Sequence, residues 1–275
     1  MLVSVESKLQ KCRVGICSRR LNFPALWVML YTATNHSLPN HSKGECKMKK
    51  QHISRTPLAQ RTLPDYTLGE ERMNMITHIV GGAMGLLILV FSILIGTAHH
   101  NSIAIVSGSI YGFSAVCLFT VSSVYHGLPD NMGKRVMQVI DHCTIYFLIA
   151  GTYTPILLTG IRPNNPPVAW TVFGIEWGCT AIAATLTAID LKKYSRISMI
   201  CYLTMGWAVI AVLRQTIAAM TTAGFLWLLS GGICYTIGAI LYGLGKKHHY
   251  VHSIFHIFVD FGFLLQGVAI LRYVL

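Results

Sequence analysis

Two histidines, four residues apart, open the last hydrophobic stretch of the chain. On a helix, His252 and His256 would share one face and lie one turn apart. That spacing lets one helix offer two imidazole nitrogens to a single metal ion. Such a pair can also be ordinary packing in an apolar helix, so the pair alone is a weak indication of a metal site. Polar residues in the other hydrophobic stretches help to decide between a metal site and ordinary packing.

Polar and ionisable side chains recur at the ends of three other hydrophobic stretches. They are Glu71, Asn74 and His78 at the start of the first, Ser122 and His126 at the end of the second, and Asp141 at the start of the third. Ionisable groups in membrane helices are costly and usually face the bundle interior or a wet cavity. We therefore expect these side chains to converge at one depth of a helical bundle.

The residue types at this depth predict a zinc site. Three histidines and one open position form a common catalytic zinc arrangement, and His126, His252 and His256 are the predicted Zn²⁺ ligands. Asp141 is a candidate general base that would hold the activated water. Ser122, one turn before His126, could hydrogen-bond a substrate carbonyl or that water.

The supporting residues also have simpler interpretations. Ser122 could bond a carbonyl of its own helix. Asp141 could be a structural partner of an arginine or a histidine. Glu71 and Asn74 could be no more than favourable residues at a helix start.

The composition is that of a membrane protein. Of 275 residues, 53% are hydrophobic and only 12% are charged, about half the charged fraction of a soluble domain. Seven apolar stretches follow one another with short polar breaks, each near the ~20 residues of a membrane-spanning helix. They are Ile76–Ala98, Ile103–Tyr125, Val139–Thr159, Val168–Ile189, Ile197–Leu213, Ala223–Leu244 and Ile254–Tyr273. This pattern predicts an all-α, polytopic integral membrane protein with seven transmembrane helices over residues 66–275.

Residues 1–65 form a basic segment without clear periodicity. Eleven of the 22 Lys and Arg, but only three of the ten Asp and Glu, fall there. We expect a disordered N-terminal extension with affinity for anionic lipid. Within it, residues 1–47 are expected to have little bearing on function. No aromatic-interleaved basic module indicates nucleic-acid binding.

The basic residues between the hydrophobic stretches predict an orientation. Lys and Arg follow the second, fourth and sixth stretches and are sparse on the opposite side. The positive-inside rule places the N-terminus in the cytosol and the C-terminus outside the cell. The predicted location is the cell inner (plasma) membrane, with the polar cluster facing the cytosol.

Together these motifs resemble the hemolysin III and progestin–adipoQ receptor family. The resemblance rests on Glu71-x-x-Asn74-x-x-x-His78, on Ser122-x-x-x-His126 followed by Asp141, and on His252-x-x-x-His256. Residues 141–155 are also very similar to the bacterial branch, and the likeness covers about residues 69–273. The resemblance implies a seven-helix fold, a cytosol-facing zinc site on the three histidines, and kinship with receptors and alkaline ceramidases proposed to cleave lipid amides.

Three functions remain open on this basis. The first is a zinc-dependent hydrolase of lipid amide or ester bonds, with a membrane lipid as substrate. The second is a pore-forming cytolysin, which the family name suggests. The third is a non-catalytic receptor or regulator of membrane state with structural zinc. A carboxyl within a hydrophobic stretch occurs at Glu176 and at Asp260, and neither is included in the predicted ligand set.

Overall fold

The structure, a computed structural model, describes residues 56–244 and 248–275. Within these ranges the regular structure is entirely helical, which confirms the all-α class. The predicted basic extension lies outside the described residues, apart from residues 56–65. Lys246 and Lys247, two of the cations used in the orientation argument, also lie outside them.

Seven α-helices follow one another in the described part of the chain. They are α1 (Leu68–Ala98), α2 (Ser102–Gly127), α3 (Met132–Pro155), α4 (Pro166–Ile189), α5 (Ser195–Gly206), α6 (Leu213–Leu244) and α7 (Val251–Tyr273). Shorter elements are a 3-10 turn at Leu58–Gln60, a π-helical extension of α3 at Ile156–Ile161, and a 3-10 link from α5 to α6 at Ala208–Val212.

Six helical segments are long and apolar enough to cross a membrane, and one of them is bent back on itself. The segment Ser195–Leu244 has 50 residues, and a straight helix of that length would span about 75 Å, against about 30 Å of hydrocarbon. Thr221 within it is non-helical, with φ 64° and ψ 166°. Trp207 Nε1 donates to Thr236 Oγ1 at 3.1 Å although 29 residues separate them. The segment therefore makes two antiparallel crossings that meet at Thr221. Counted this way, the six segments contain the seven transmembrane helices that the sequence predicts.

Helix α1 begins two turns before the apolar stretch that predicts it, because a capping box fixes its start. Thr67 Oγ1 accepts from the Glu70 backbone N–H at 3.3 Å, and Glu70 Oε2 accepts from the Thr67 N–H at 2.8 Å. These reciprocal bonds satisfy amide groups that a helix start leaves open. The added turns carry Glu71 and Asn74 on the helix.

Small residues let the helices that carry the polar side chains approach closely. A Cβ added at Gly112 of α2 would lie 2.6 Å from Leu89 Cα of α1. A Cβ at Gly231 of α6 would lie 2.8 Å from the Gly262 carbonyl of α7. Backbone contacts of this kind are typical of helix pairs in membranes.

The outward faces of the bundle are apolar. Large apolar side chains are more than half exposed on several helices, among them Leu86, Phe113, Ile182, Ile200 and Leu244. An apolar exterior of this kind matches hydrocarbon, whereas it would be unstable in water. Polar groups such as Asn74 and Glu176 are instead buried within the bundle.

Candidate metal centre

The three predicted ligand histidines meet at one end of the bundle. His126 lies in the last turn of α2, and His252 and His256 occupy the first two turns of α7. One ring nitrogen from each lies within 4.8 Å of the other two. The Nε2 atoms of His252 and His256 are 3.1 Å apart. We call this group the histidine cluster, and the end of the bundle that carries it the histidine end.

A carboxylate on α1 determines which nitrogen of His126 faces the cluster. His126 Nδ1 lies 2.6 Å from Glu71 Oε2, and Lys134 Nζ donates to the other carboxylate oxygen at 2.7 Å. Since an ionised carboxylate can only accept, Nδ1 carries the hydrogen and the Nε2 lone pair is free. Carboxylate–histidine pairs of this kind orient metal ligands and make them more basic. Glu71, which the sequence predicted as a supporting residue, thus contacts one of the three predicted ligand histidines.

A buried hydrogen bond joins α1 to α7 beside the cluster. Ser253 Oγ donates to Asn74 Oδ1 at 2.6 Å, and both side chains are fully buried. This bond fixes the rotation of α7 next to His252. Ser253 was not among the predicted site residues, although its place inside the motif from His252 to His256 was a usable signal.

His78 contacts the cluster through its ring face. It stacks on His256 with ring centroids 3.8 Å apart and ring planes within 12°. The His78 and Phe119 rings pack edge to face, with centroids 5.2 Å apart. Neither ring nitrogen has a hydrogen-bond partner among the described residues. His78 is therefore in the cluster's packing shell, and its nitrogens are not in the three-histidine group.

Asp141 and Ser122 lie outside the three-histidine group. The Asp141 carboxylate, on α3, contacts a histidine of its own helix, since its Oδ2 lies 3.5 Å from His142 Nδ1. Two tyrosine rings adjoin the histidine cluster: Tyr125 lies 4.5 Å from His126 and Tyr66 lies 4.9 Å from His252 between centroids. Ser122 is buried on α2, one turn before His126.

Tyr66 is a site residue that the sequence did not indicate. It precedes α1, outside any helix, and its ring stacks on His252 with planes within 17°. Burial, followed by the nearby Tyr242 hydroxyl and the Glu71 carboxylate, raises the pKa of Tyr66 well above its usual value. The phenol is therefore protonated at neutral pH and can donate a hydrogen bond.

The donor set fits a metal ion. Two imidazole nitrogens on a tetrahedral zinc, each about 2.0–2.1 Å from it, would be about 3.3 Å apart, close to the 3.1 Å between His252 and His256. The free Nε2 of His126 supplies the third donor. Imidazole also suits copper, iron and nickel, so the cluster defines a possible metal site without specifying the metal.

These features define a class of protein, namely a polytopic α-helical membrane protein with a possible three-histidine metal site at one end of its bundle. The chain belongs to the haemolysin-III-related family, whose sequence profile matches residues 66–267. The resemblance to hemolysin III that the motifs indicate is thereby confirmed.

Curated relatives agree with this membership. The chain is 34% identical to Hemolysin-3 of Bacillus cereus over 206 residues, which are 75% of this chain and 92% of that protein. It is 34% identical to the Hemolysin-3 homolog of Bacillus subtilis over 208 residues, 76% of this chain and 96% of the relative. A human protein named Monocyte to macrophage differentiation factor is 28% identical over 172 residues, 60% of this chain and 68% of its own.

Proposed function

We propose that this protein is a zinc-dependent membrane hydrolase that cleaves an amide or ester bond of a membrane lipid. The observation that carries the proposal is the histidine cluster, with His126 held by Glu71 in the tautomer that leaves Nε2 free. Three protein ligands leave one of four zinc positions open, which is the arrangement of catalytic rather than structural sites.

Each side chain near the cluster has a role in this proposal. Zinc, when bound, polarises a carbonyl and makes water a nucleophile near neutral pH. Asp141 accepts the proton of the attacking water and returns it to the leaving group. Ser122 orients the scissile carbonyl from one turn before His126. Glu71, neutralised in part by Lys134 at 2.7 Å, keeps the His126 ring in place.

The orientation of the bundle belongs to the same proposal. The histidine end faces the cytosol and the C-terminus lies outside, in the plasma membrane of the cell, as the Lys and Arg bias indicates. A single cysteine introduced at Asn101, at the opposite end, should react with an impermeant thiol reagent added to intact cells. One at Lys193 should react only after the cells are opened. The reverse pattern would contradict the orientation.

A non-catalytic regulator with structural zinc is the second candidate. The observation in its favour is Tyr66, whose ring covers His252 at 4.9 Å and so limits access to the cluster. The two candidates share the metal site and differ in whether its open position reaches a substrate.

Two variants test the proposal in succession. His252→Ala should remove most of the zinc from purified protein, as measured by elemental analysis, because a two-histidine site binds zinc far more weakly. His100→Asn is the matched control, since His100 is exposed in the turn between α1 and α2 and asparagine tolerates its positive φ of 51°. Full zinc content in His252→Ala would refute the ligand assignment.

Asp141→Asn then separates the hydrolase from the regulator. This variant should keep its zinc at saturating metal yet lose hydrolysis, which lipid mass spectrometry of membranes with and without the protein would measure. If the wild-type protein cleaves no membrane lipid while Asp141→Asn still abolishes its biological effect, the regulator is the correct candidate.

A further inference from the structure

Tyr66 covers the one histidine of the cluster that the bundle leaves partly exposed. His126 and His256 are only 3% and 2% exposed, whereas His252 is half-buried. The Tyr66 ring stacks on His252 at 4.9 Å and lies 6.0 Å from the His126 ring. The Tyr66 ring thus covers one face of His252, from the stretch of chain that precedes α1 at the histidine end.

The segment that carries Tyr66 is fastened at both of its ends. We call residues 61–67 the strap. At its start, Arg61 Nη2 donates to the Ile189 carbonyl at 3.0 Å, and the Arg61 carbonyl accepts from Arg135 Nε at 3.1 Å. At its other end, Thr67 is held by the capping box of α1. The strap is thus tied to α4, α3 and α1, and these ties hold Tyr66 over the cluster.

We propose that Tyr66 is a gate that closes the histidine cluster to the aqueous phase at this end of the bundle. A water-soluble ligand must displace its ring before it reaches the open metal position. The gate would therefore select against soluble ligands and in favour of one presented by the membrane. The selection of molecules that bind the metal rests on the proposed function, whereas the shielding of His252 by Tyr66 does not.

Between its two fastenings the strap is irregular and partly exposed. Residues 61–67 are non-helical, and Thr62, Pro64 and Asp65 within them are exposed. A single stacking contact between aromatic rings is weak enough to break and re-form thermally. Local openings of such exposed segments occur without unfolding of the bundle.

The rate at which a soluble chelator removes the metal tests the gate. Full-length protein in lipid nanodiscs would be loaded with zinc and mixed with excess EDTA. Tyr66→Ala should release zinc about two- to tenfold faster than wild type, the range expected if the ring contact is what holds the gate closed. Tyr66→Phe keeps the stacked ring and should match wild type. Equal release from wild type and Tyr66→Ala would overturn the proposal.

A second measurement needs no metal and so separates the gate from the proposed function. Diethyl pyrocarbonate modifies accessible neutral imidazoles, and peptide mass spectrometry would follow His252 in protein not loaded with zinc. Tyr66→Ala should raise its modification rate by the same factor, with exposed His99 as the internal reference. If the protein bound no zinc, the metal site would be refuted, but the modification rate of His252 would still test whether Tyr66 acts as a gate. If Tyr66→Ala loses its helical circular dichroism, Tyr66→Leu would be used instead. It should show the same increases in zinc release and in His252 modification.

Discussion

His126 donates its Nδ1–H to Glu71 over 2.6 Å, and this one bond links the start of α1 to the end of α2. The carboxylate is shared, since its second oxygen accepts from Lys134 Nζ at 2.7 Å. Charge-assisted bonds of this length are stronger than neutral ones. The Glu71 carboxylate should therefore hold the His126 ring with its Nε2 lone pair toward the cluster.

Replacing Glu71 by glutamine should weaken metal binding without abolishing it. The glutamine side chain would keep an amide oxygen near His126 but would lose the charge, and outer partners of metal ligands typically contribute about 10–100-fold in affinity. We expect the zinc dissociation constant of Glu71→Gln to rise within that range. Competition with a chromogenic chelator would measure it.

The neighbouring Glu70 provides the control for this prediction. Its Oε1 accepts from the Tyr250 backbone N–H at 2.6 Å, and its Oε2 closes the capping box with Thr67. Glu70→Gln should therefore lower the unfolding temperature and leave the zinc dissociation constant nearly unchanged. A larger loss of zinc affinity in Glu70→Gln than in Glu71→Gln would contradict the assignment.

The histidine cluster was predictable from the sequence because its members lie at helix positions that spacing determines. The four-residue interval between His252 and His256 fixes their shared face, and the hydrophobic stretches fix the depth of His126. Glu71 and Asn74 were predicted to support the site, but their hydrogen-bond partners were not predictable, because these depend on the rotation of α1 against α2 and α7. Sequence periodicity gives which face is buried but not which partner it meets.

Tyr66 was missed for a different reason. Its position depends on the path of a non-helical strap, and no periodic pattern encodes that path. In the fold, too, the features that sequence periodicity predicts differ from those that it does not. The apolar stretches predicted the crossings, whereas the early start of α1 came from the short-range bonds between Thr67 and Glu70, and the joining of the fifth and sixth crossings came from the chain geometry at Thr221.

Removing the Ser253 hydroxyl should destabilise the protein. Ser253 Oγ is the donor to Asn74 Oδ1 at 2.6 Å, and both side chains are 0% exposed. Ser253→Ala would leave a buried amide oxygen without this donor, at a cost of about 1–3 kcal/mol. The free energy of unfolding in bicelles would measure it. Ser230→Ala is the control, because Ser230 is exposed and bonds its own helix at 2.8 Å, and it should change stability by less than about 0.5 kcal/mol.

The close approach of α1 and α2 predicts opposite effects for two glycine substitutions. An alanine at Gly112 would place its Cβ 2.6 Å from Leu89 Cα, so Gly112→Ala must push the helices apart. We expect a loss of about 1–3 kcal/mol in the free energy of unfolding. Among the described residues, no atom lies within 4 Å of a Cβ added at Gly174, so Gly174→Ala should be neutral or stabilising by up to about 1 kcal/mol. Equal effects of the two variants would refute the predicted packing.

Asp190, at the end of α4, ties the chain before α1 to the bundle through its charge. Its Oδ2 accepts from the Thr56 N–H at 2.9 Å and its Oδ1 from the Lys193 N–H at 3.1 Å. Burial opposes the charged form, but these bonds and the nearby Arg61 outweigh it and lower the pKa of Asp190 from 3.8 to about 2. The folded state therefore binds the carboxylate's proton less tightly than the unfolded state does.

The sign of this pKa shift fixes a pH dependence of stability. A carboxyl group whose pKa is lower in the folded state stabilises that state fully above its unfolded pKa, here 3.8, and the contribution is lost as the pH falls toward about 2. The unfolding temperature of wild type should therefore exceed that of Asp190→Asn at neutral pH, and the difference should shrink as the pH is lowered below about 4. Thermal unfolding of both proteins across this range would measure it. A difference that stays constant with pH would mean that the charge of Asp190 contributes nothing.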